Sequence, residues 1–325
     1  MARHIDIDQD RETALRDAVA VLSSGHPVAI PTETVYGLAA DATNPAAITR
    51  IYETKGRPQF NPLICHMANL EMAEEYATFD PISRKLAQAF WPGPLTLIVP
   101  LKPGSTIHSL ATAGLDTVGI RIPQGFAAEL IRAFGKPLAA PSANSSGKIS
   151  STSAAHVEAD LGARISLILD GGAAPVGVES TIVKVEADGT VRLLRPGGLV
   201  AEDIERVTGV ALIRPQTASA TIEAPGMLAS HYAPGAAVRL NAVSVEAGEA
   251  LIRFGGRRVE GDENAAIILD LSTAADLAEA AANLFDHLKI ADASGASLIA
   301  ITPIPNTGLG EAINDRLSRA AAPRP

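Results

Sequence analysis

Apolar residues recur at Ala14, Leu15, Ala18, Val19 and Leu22, the spacing that lines one helix face, and they predict a helix over 11–22. Val28, Ala29 and Ile30 form a short apolar run stopped by Pro31 and the polar turn Thr32-Glu33-Thr34, which reads as a buried strand. Asn44-Pro45 opens the next helix. Asparagine caps free N–H groups, and proline suits the first helical position because its missing N–H is not needed there. Ile48, Ile51 and Tyr52 supply the apolar face, and the helix ends at Lys55-Gly56, with Pro58 barring continuation. Over 117–122 the period becomes two. Val118, Ile120 and Ile122 point one way and Thr117, Gly119 and Arg121 the other, a strand whose polar face leaves room for a ligand above Gly119.

Further strands are predicted at 138–140, before the polar loop 141–147, and at 165–169. Residues 181–185 and 191–194 pair as a hairpin across Asp188-Gly189. After Arg214 the periodicity lapses into proline, threonine and serine until Ala237, the texture of a linker. A strand at 266–269, a helix at 275–288, a strand at 298–301 and a helix at 312–320 then alternate, which implies a small parallel-sheet unit. The chain of 325 residues is long for one domain. The expected division is an α/β catalytic domain over 1–212, a linker or lid over 213–235 and a smaller α/β domain over 236–325.

Hydrophobic residues make up 47% of the chain and charged ones 19%, so a sizeable core can be buried and wholesale disorder is excluded. The net charge of -9 argues against non-specific nucleic-acid binding, which needs Lys and Arg to neutralise phosphates, so direct tRNA binding is expected to be weak or absent. A single cysteine, Cys65, excludes an internal disulfide and a thiolate zinc cluster, and the seven histidines show no ligand spacing; no protein metal site is expected. Residues 1–10 are too polar for a secretory signal, and the apolar stretch 91–101 is broken by proline and glycine. A cytoplasmic protein without a membrane span is expected.

No Walker loop, dinucleotide glycine pattern or nucleophile elbow is present, so phosphate chemistry would need another cradle. Lys55 and Arg57 straddle a glycine at a helix end inside a proline-stiffened loop. They serve either the helix dipole or a polyphosphate. Arg121 offers a fork suited to a carboxylate, or a surface ion pair. Ser142, Asn144 and Ser145 either form turns or bind ligand, and Ser180 is equally open. His66 reads as a structural histidine, and Tyr36 and Trp91 as packing residues.

Together, PTETVYGL (31–38), KGRPQFNPL (55–63), WPGPLT (91–96), GIRIP (119–123), PSANSSG (141–147), ESTI (179–182) and LRPG (194–197) resemble the YrdC family. PGM (225–227), HYAP (231–234) and GLGEAINDR (308–316) are similar to its two-domain long form. The resemblance implies a YrdC-like twisted mixed sheet with helices, followed by a Rossmann-like parallel α/β domain. It also implies an activity: L-threonine, bicarbonate and ATP, with Mg²⁺ on the nucleotide, give L-threonylcarbamoyladenylate and pyrophosphate. The product would pass to the tRNA threonylcarbamoyl-transferase machinery. By the same resemblance Thr34, His66, Arg121, Ser142 and Ser180 surround threonine. Lys55, Arg57, Asn61, Thr117, Asn144, Thr152, Arg195 and Tyr232 contact ATP, with Lys55 and Arg57 as the catalytic cations. The competing readings are a non-catalytic RNA-binding module and carbamoyl-adenylate synthesis from carbamoyl phosphate. The single cysteine excludes the cysteine-rich zinc module that carbamoyl-phosphate relatives carry.

Overall fold

A computed structural model describes residues 1–58, 60–214, 223–226 and 230–323. Part of the expected linker, 215–222, and Met227 of its turn motif lie outside the described residues.

Ten strands build the larger sheet: β1 (Arg3–Asp6), β2 (Val28–Ile30), β3 (Gly37–Asp41), β4 (Ile64–His66), β5 (Leu95–Pro100), β6 (Thr117–Arg121), β7 (Leu138–Ala139), β8 (Leu167–Asp170), β9 (Thr181–Val185) and β10 (Val191–Arg195). Their spatial order is β1-β8-β2-β3-β7-β4-β6-β5-β9-β10, with parallel and antiparallel neighbours mixed. Ala29, Leu38 and Ala40 enter one core while Val28, Ile30 and Ala39 enter another. Burial on both faces explains why these strands are apolar runs rather than alternations. Helices Arg11–Ser23 and Phe126–Phe134 supply the second core, and Pro45–Lys55, Pro81–Phe90 and Ala201–Thr208 contribute to the first.

The smaller sheet is wholly parallel, β11 (Ala237–Arg239), β12 (Ala250–Arg253), β13 (Ile267–Asp270) and β14 (Leu298–Ile301), in the order β11-β14-β12-β13. Helices Leu277–Ala293 and Leu309–Ala321 bury their apolar faces with it. The last helix starts three residues before the expected point, because Gly308 at a φ of 53° turns the chain and Gly310 fits tightly under the first turn. Val35, Ile149 and Val178 of the larger unit join the same apolar cluster, so the two units share a core. Among the described residues no helix is long and apolar enough to cross a membrane.

Candidate active site

One face of the larger sheet carries Ile64, Ile98, Ile182 and Leu194, capped by Ala224 from the segment between the two units. Beside this patch opens a small cleft of about 50 Å³. Gly119 lies under the patch, not under open space: a Cβ there would meet Ile98 Cδ1 at 3.3 Å and Ile64 Cγ1 at 3.6 Å. The room expected above Gly119 is filled by side chains.

Arg57 and Arg195 line the cleft, and Lys55 is buried behind the lining. Lys55 ends the helix Pro45–Lys55, where Asn44 caps the start and Gly56, at a φ of 59°, turns the chain away. Neither Lys55 nor the following Arg57 is solvated. Lys55 is 2% exposed and Arg57 8% exposed, because the chain folds back over them. Lys55 Nζ donates to Ser142 O and Asn144 O at 2.5 Å each. Arg57 donates to Asn61 O and Pro62 O, and Arg195, at the end of β10, donates to Ser180 O and Pro225 O. All three thus use carbonyl dipoles, and among the described residues none forms an ion pair. Burial, reinforced by Arg57, holds the Lys55 ammonium well below the ordinary lysine range. Burial brings Arg57 down to about 10 and lowers Arg195 as well. Such a cluster favours an anion, which would offset the desolvation of all three.

Next to these cations, His66 stands opposite Arg121 in the parallel register of β4 and β6. Burial, then the neighbouring Arg121, pushes His66 down to about 3, so the imidazole is neutral. Arg121 lies 2.7 Å from Glu33 and donates Nε to Gly93 O. Thr34, Ser142 and Ser180 line the same cleft. The turn holding Thr34 is built by Thr32, whose hydroxyl donates to Val35 O and accepts from Thr34 N. Ser180 Oγ lies 2.7 Å from Thr96 Oγ1. Gly226, His231 and Tyr232 complete the lining.

Asn61 and Asn144 are buried behind the lining, and the Oδ1 atom of each has no partner. Thr152 is buried with its hydroxyl 3.3 Å from His156 Nδ1, away from the lining. Thr117 sits at the far end of β6, paired with Pro100, and the structure does not bring it to the cleft. Glu179 and His231 line the cleft, and Glu33 is buried behind the lining against Arg121, without any of them having been singled out. Their place inside the quoted motifs was the only signal. Tyr36 and Trp91 are packing residues: Tyr36 is fully buried with its hydroxyl on Gly172 O, and Trp91 donates to Leu95 O.

Buried cations beside an arginine fork and three hydroxyls, on a mixed sheet with an appended parallel unit, define a two-unit α/β site for a small acid and a larger anion. A family model named Sua5_yciO_yrdC and described as "Telomere recombination" matches residues 20–197. A second, described as "Threonylcarbamoyl-AMP synthase, C-terminal domain", matches residues 199–322. The chain belongs to the Sua5/YciO/YrdC family, in its two-domain form. It is 42% identical to the threonylcarbamoyl-AMP synthase of Bacillus subtilis, over 98% of this chain and 97% of that protein. The Pyrococcus abyssi enzyme of the same name is 40% identical over 96% and 95%. The crystal structure of P. abyssi Sua5 complexed with L-threonine superposes with a TM-score of 0.84 at 39% identity, covering 94% of each chain.

Proposed function

We propose that the cleft makes L-threonylcarbamoyladenylate from L-threonine, bicarbonate and ATP, releasing pyrophosphate, for the threonylcarbamoyladenosine modification of tRNA. The observation that carries this reading is the pair of buried, carbonyl-bound arginines in the lining, Arg57 and Arg195, with Lys55 buried behind it, beside Arg121 and the hydroxyls of Thr34, Ser142 and Ser180. The threonine amine and bicarbonate condense to a carbamate with loss of water. A carbamate oxygen then bonds to the α-phosphorus as the bond from that phosphorus to the pyrophosphate oxygen breaks. This chemistry depends on positioning and charge stabilisation and needs no covalent nucleophile, which suits a site of Lys, Arg, Ser, Thr and Asn.

In this reading Arg121 takes the threonine carboxylate, with Thr34, His66, Ser142 and Ser180 around the rest of the amino acid. Lys55, Arg57 and Arg195 face the phosphates, and Tyr232 covers the nucleotide. Mg²⁺ enters as part of the MgATP substrate. Among the described residues no group of three or more His, Cys, Asp or Glu could hold an ion. The product passes to a tRNA-modifying transferase. Pyrophosphate release measured with each substrate omitted in turn tests the reading. Release should require all three, and release undiminished without threonine would overturn it.

A further inference from the structure

One side chain of the small C-terminal unit touches several residues of the cleft. Arg316, on the helix Leu309–Ala321, is fully buried. Its Nε donates to Glu179 Oε2 at 2.7 Å, its Nη1 to Asp315 Oδ2 at 2.5 Å and its Nη2 to Pro196 O at 2.9 Å. Its Cζ lies 5.1 Å from the centre of the Tyr232 ring. Each of these partners except Asp315 leads directly to the cleft. Glu179 lines it and precedes Ser180; Pro196 follows Arg195; Tyr232 lines it. Burial alone would raise the Glu179 carboxyl, but Arg316, Arg195 and the Ser150 hydroxyl outweigh it and hold the group below the usual range.

The surroundings leave little freedom. The Tyr232 ring stacks on Phe285 of the C-terminal unit at 5.5 Å, and its backbone holds a φ of 61°, which side-chain-bearing residues seldom adopt. Gly177, two residues before Glu179, abuts the helix Leu277–Ala293 so closely that a Cβ would fall 2.3 Å from Ala281 O.

We propose that Arg316 is a positioning residue for synthesis: one guanidinium fixes the Glu179–Ser180 edge, the Arg195–Pro196 edge and the Tyr232 ring in a single arrangement. The proposal rests on the cleft assignment above. A planar fork with five N–H donors can hold these partners at fixed angles, whereas a lysine ammonium is a point charge on a flexible stem. Stability alone does not require an arginine, since a buried ion pair is often replaced by apolar side chains without loss. The role assigned to the C-terminal unit is therefore the geometry of the cleft.

The test uses the full chain carrying Arg316→Lys. Because the arrangement spans both substrate sides, the KM values for ATP and for threonine should each rise by about fivefold or more, with kcat falling as well. Glu179→Gln, which keeps the shape and a hydrogen bond, is the second variant and should move both KM values in the same direction. A merely structural role would reduce the amount of active enzyme and leave both KM values at wild type. That result in both variants overturns the proposal. Arg121→Lys is the control for the assignment beneath it. If that variant leaves the threonine KM unchanged, the cleft reading fails; if it raises the threonine KM while Arg316→Lys does nothing, the positioning role alone fails.

Discussion

Arg121 Nη2 lies 2.7 Å from Glu33 Oε1; both side chains are buried, and Arg121 lines the cleft. A substrate carboxylate reaching Arg121 therefore shares the guanidinium with a carboxylate already in place. Glu33 is itself anchored, because its Oε2 accepts from Gln124 N at 3.1 Å.

This pairing decides how the arginine should be tested. Arg121→Ala would leave Glu33 buried without its cation, at a cost of about 3–5 kcal/mol, so lost activity could not be separated from lost fold. Arg121→Lys keeps the charge and loses the fork. The expected result is a threonine KM about tenfold higher, with the ATP KM within about twofold of wild type. Steady-state pyrophosphate release over both substrates checks it, and the opposite pattern would reassign Arg121 to the nucleotide.

Lys55 gives a stability prediction as well as a catalytic one. Its ammonium is held well below the ordinary value of 10.5 by burial and by Arg57. A lowered lysine costs stability wherever both folded and unfolded forms are charged, and that cost is relieved as pH rises from the lowered folded value towards 10.5. Lys55→Met should thus leave the ligand-free protein at least as stable as wild type at pH 7, with the gap closing at alkaline pH. Pyrophosphate release should nonetheless fall by about 100-fold or more if Lys55 stabilises the phosphates as proposed. Urea unfolding at pH 7 and 9.5, beside the activity assay, measures both. A variant less stable than wild type at pH 7 with full activity would contradict each half.

Much of the fold is legible where local chemistry settles it. Asn44, Pro45 and Gly56 mark the helix Pro45–Lys55 at both ends, and the turn at Asp188-Gly189 fixes the β9–β10 hairpin. The strand β14 also follows its apolar run from Leu298 to Ile301. Strands lacking such marks are silent. Arg3–Asp6 holds one buried apolar residue, Ile5, and pairs only through β8, more than 160 residues away. Gly37–Asp41 is rich in alanine and buried on both faces, so it carries neither alternation nor β-branched character. At the site, residue types could be recognised by resemblance but their burial could not. A lysine at a helix end is usually solvated, and what buries Lys55 is the backbone of the 142–144 loop. The Glu179–Arg316 pair, 137 residues apart, leaves no local trace.

Two buried histidines contribute to the loss of stability in acid. Burial holds His66 and His231 each at about 3, against 6.5 for the free side chain. Above pH 6.5 neither contributes. As pH falls below it the unfolded chain takes up protons that the native state refuses, and stability is lost progressively towards pH 3. Wild-type stability should therefore drop between pH 6.5 and 4, and His66→Gln should flatten the slope by about one proton. Urea midpoints at pH 7, 5.5 and 4 report it; identical slopes in wild type and variant would show that His66 titrates normally.

The last prediction concerns the cover of the cleft. A chain ending at Arg214 would keep all ten strands of the larger sheet, but the shared core argues against its folding alone. Removing the rest strips Phe285 and Leu288 from Val35, Ile149 and Val178, and leaves Glu179 buried without Arg316. Such a chain should be strongly destabilised, so truncation cannot isolate the role of the cover. Point changes at Tyr232 can. The ring is 1% exposed, held between Arg316 at 5.1 Å and Phe285 at 5.5 Å. Tyr232→Phe keeps both ring contacts and loses one hydroxyl, so turnover should fall by about tenfold at most, the value of one hydrogen bond. Tyr232→Ala removes the ring, opens a cavity worth about 3–5 kcal/mol and uncovers the nucleotide, so turnover should fall by about 100-fold or more. Melting temperature separates the two losses: ATP, which is read here as binding beneath the ring, should raise it in wild type and Tyr232→Phe and hardly at all in Tyr232→Ala. Equal ATP stabilisation in all three would show that Tyr232 packs the interface between the units without covering the nucleotide.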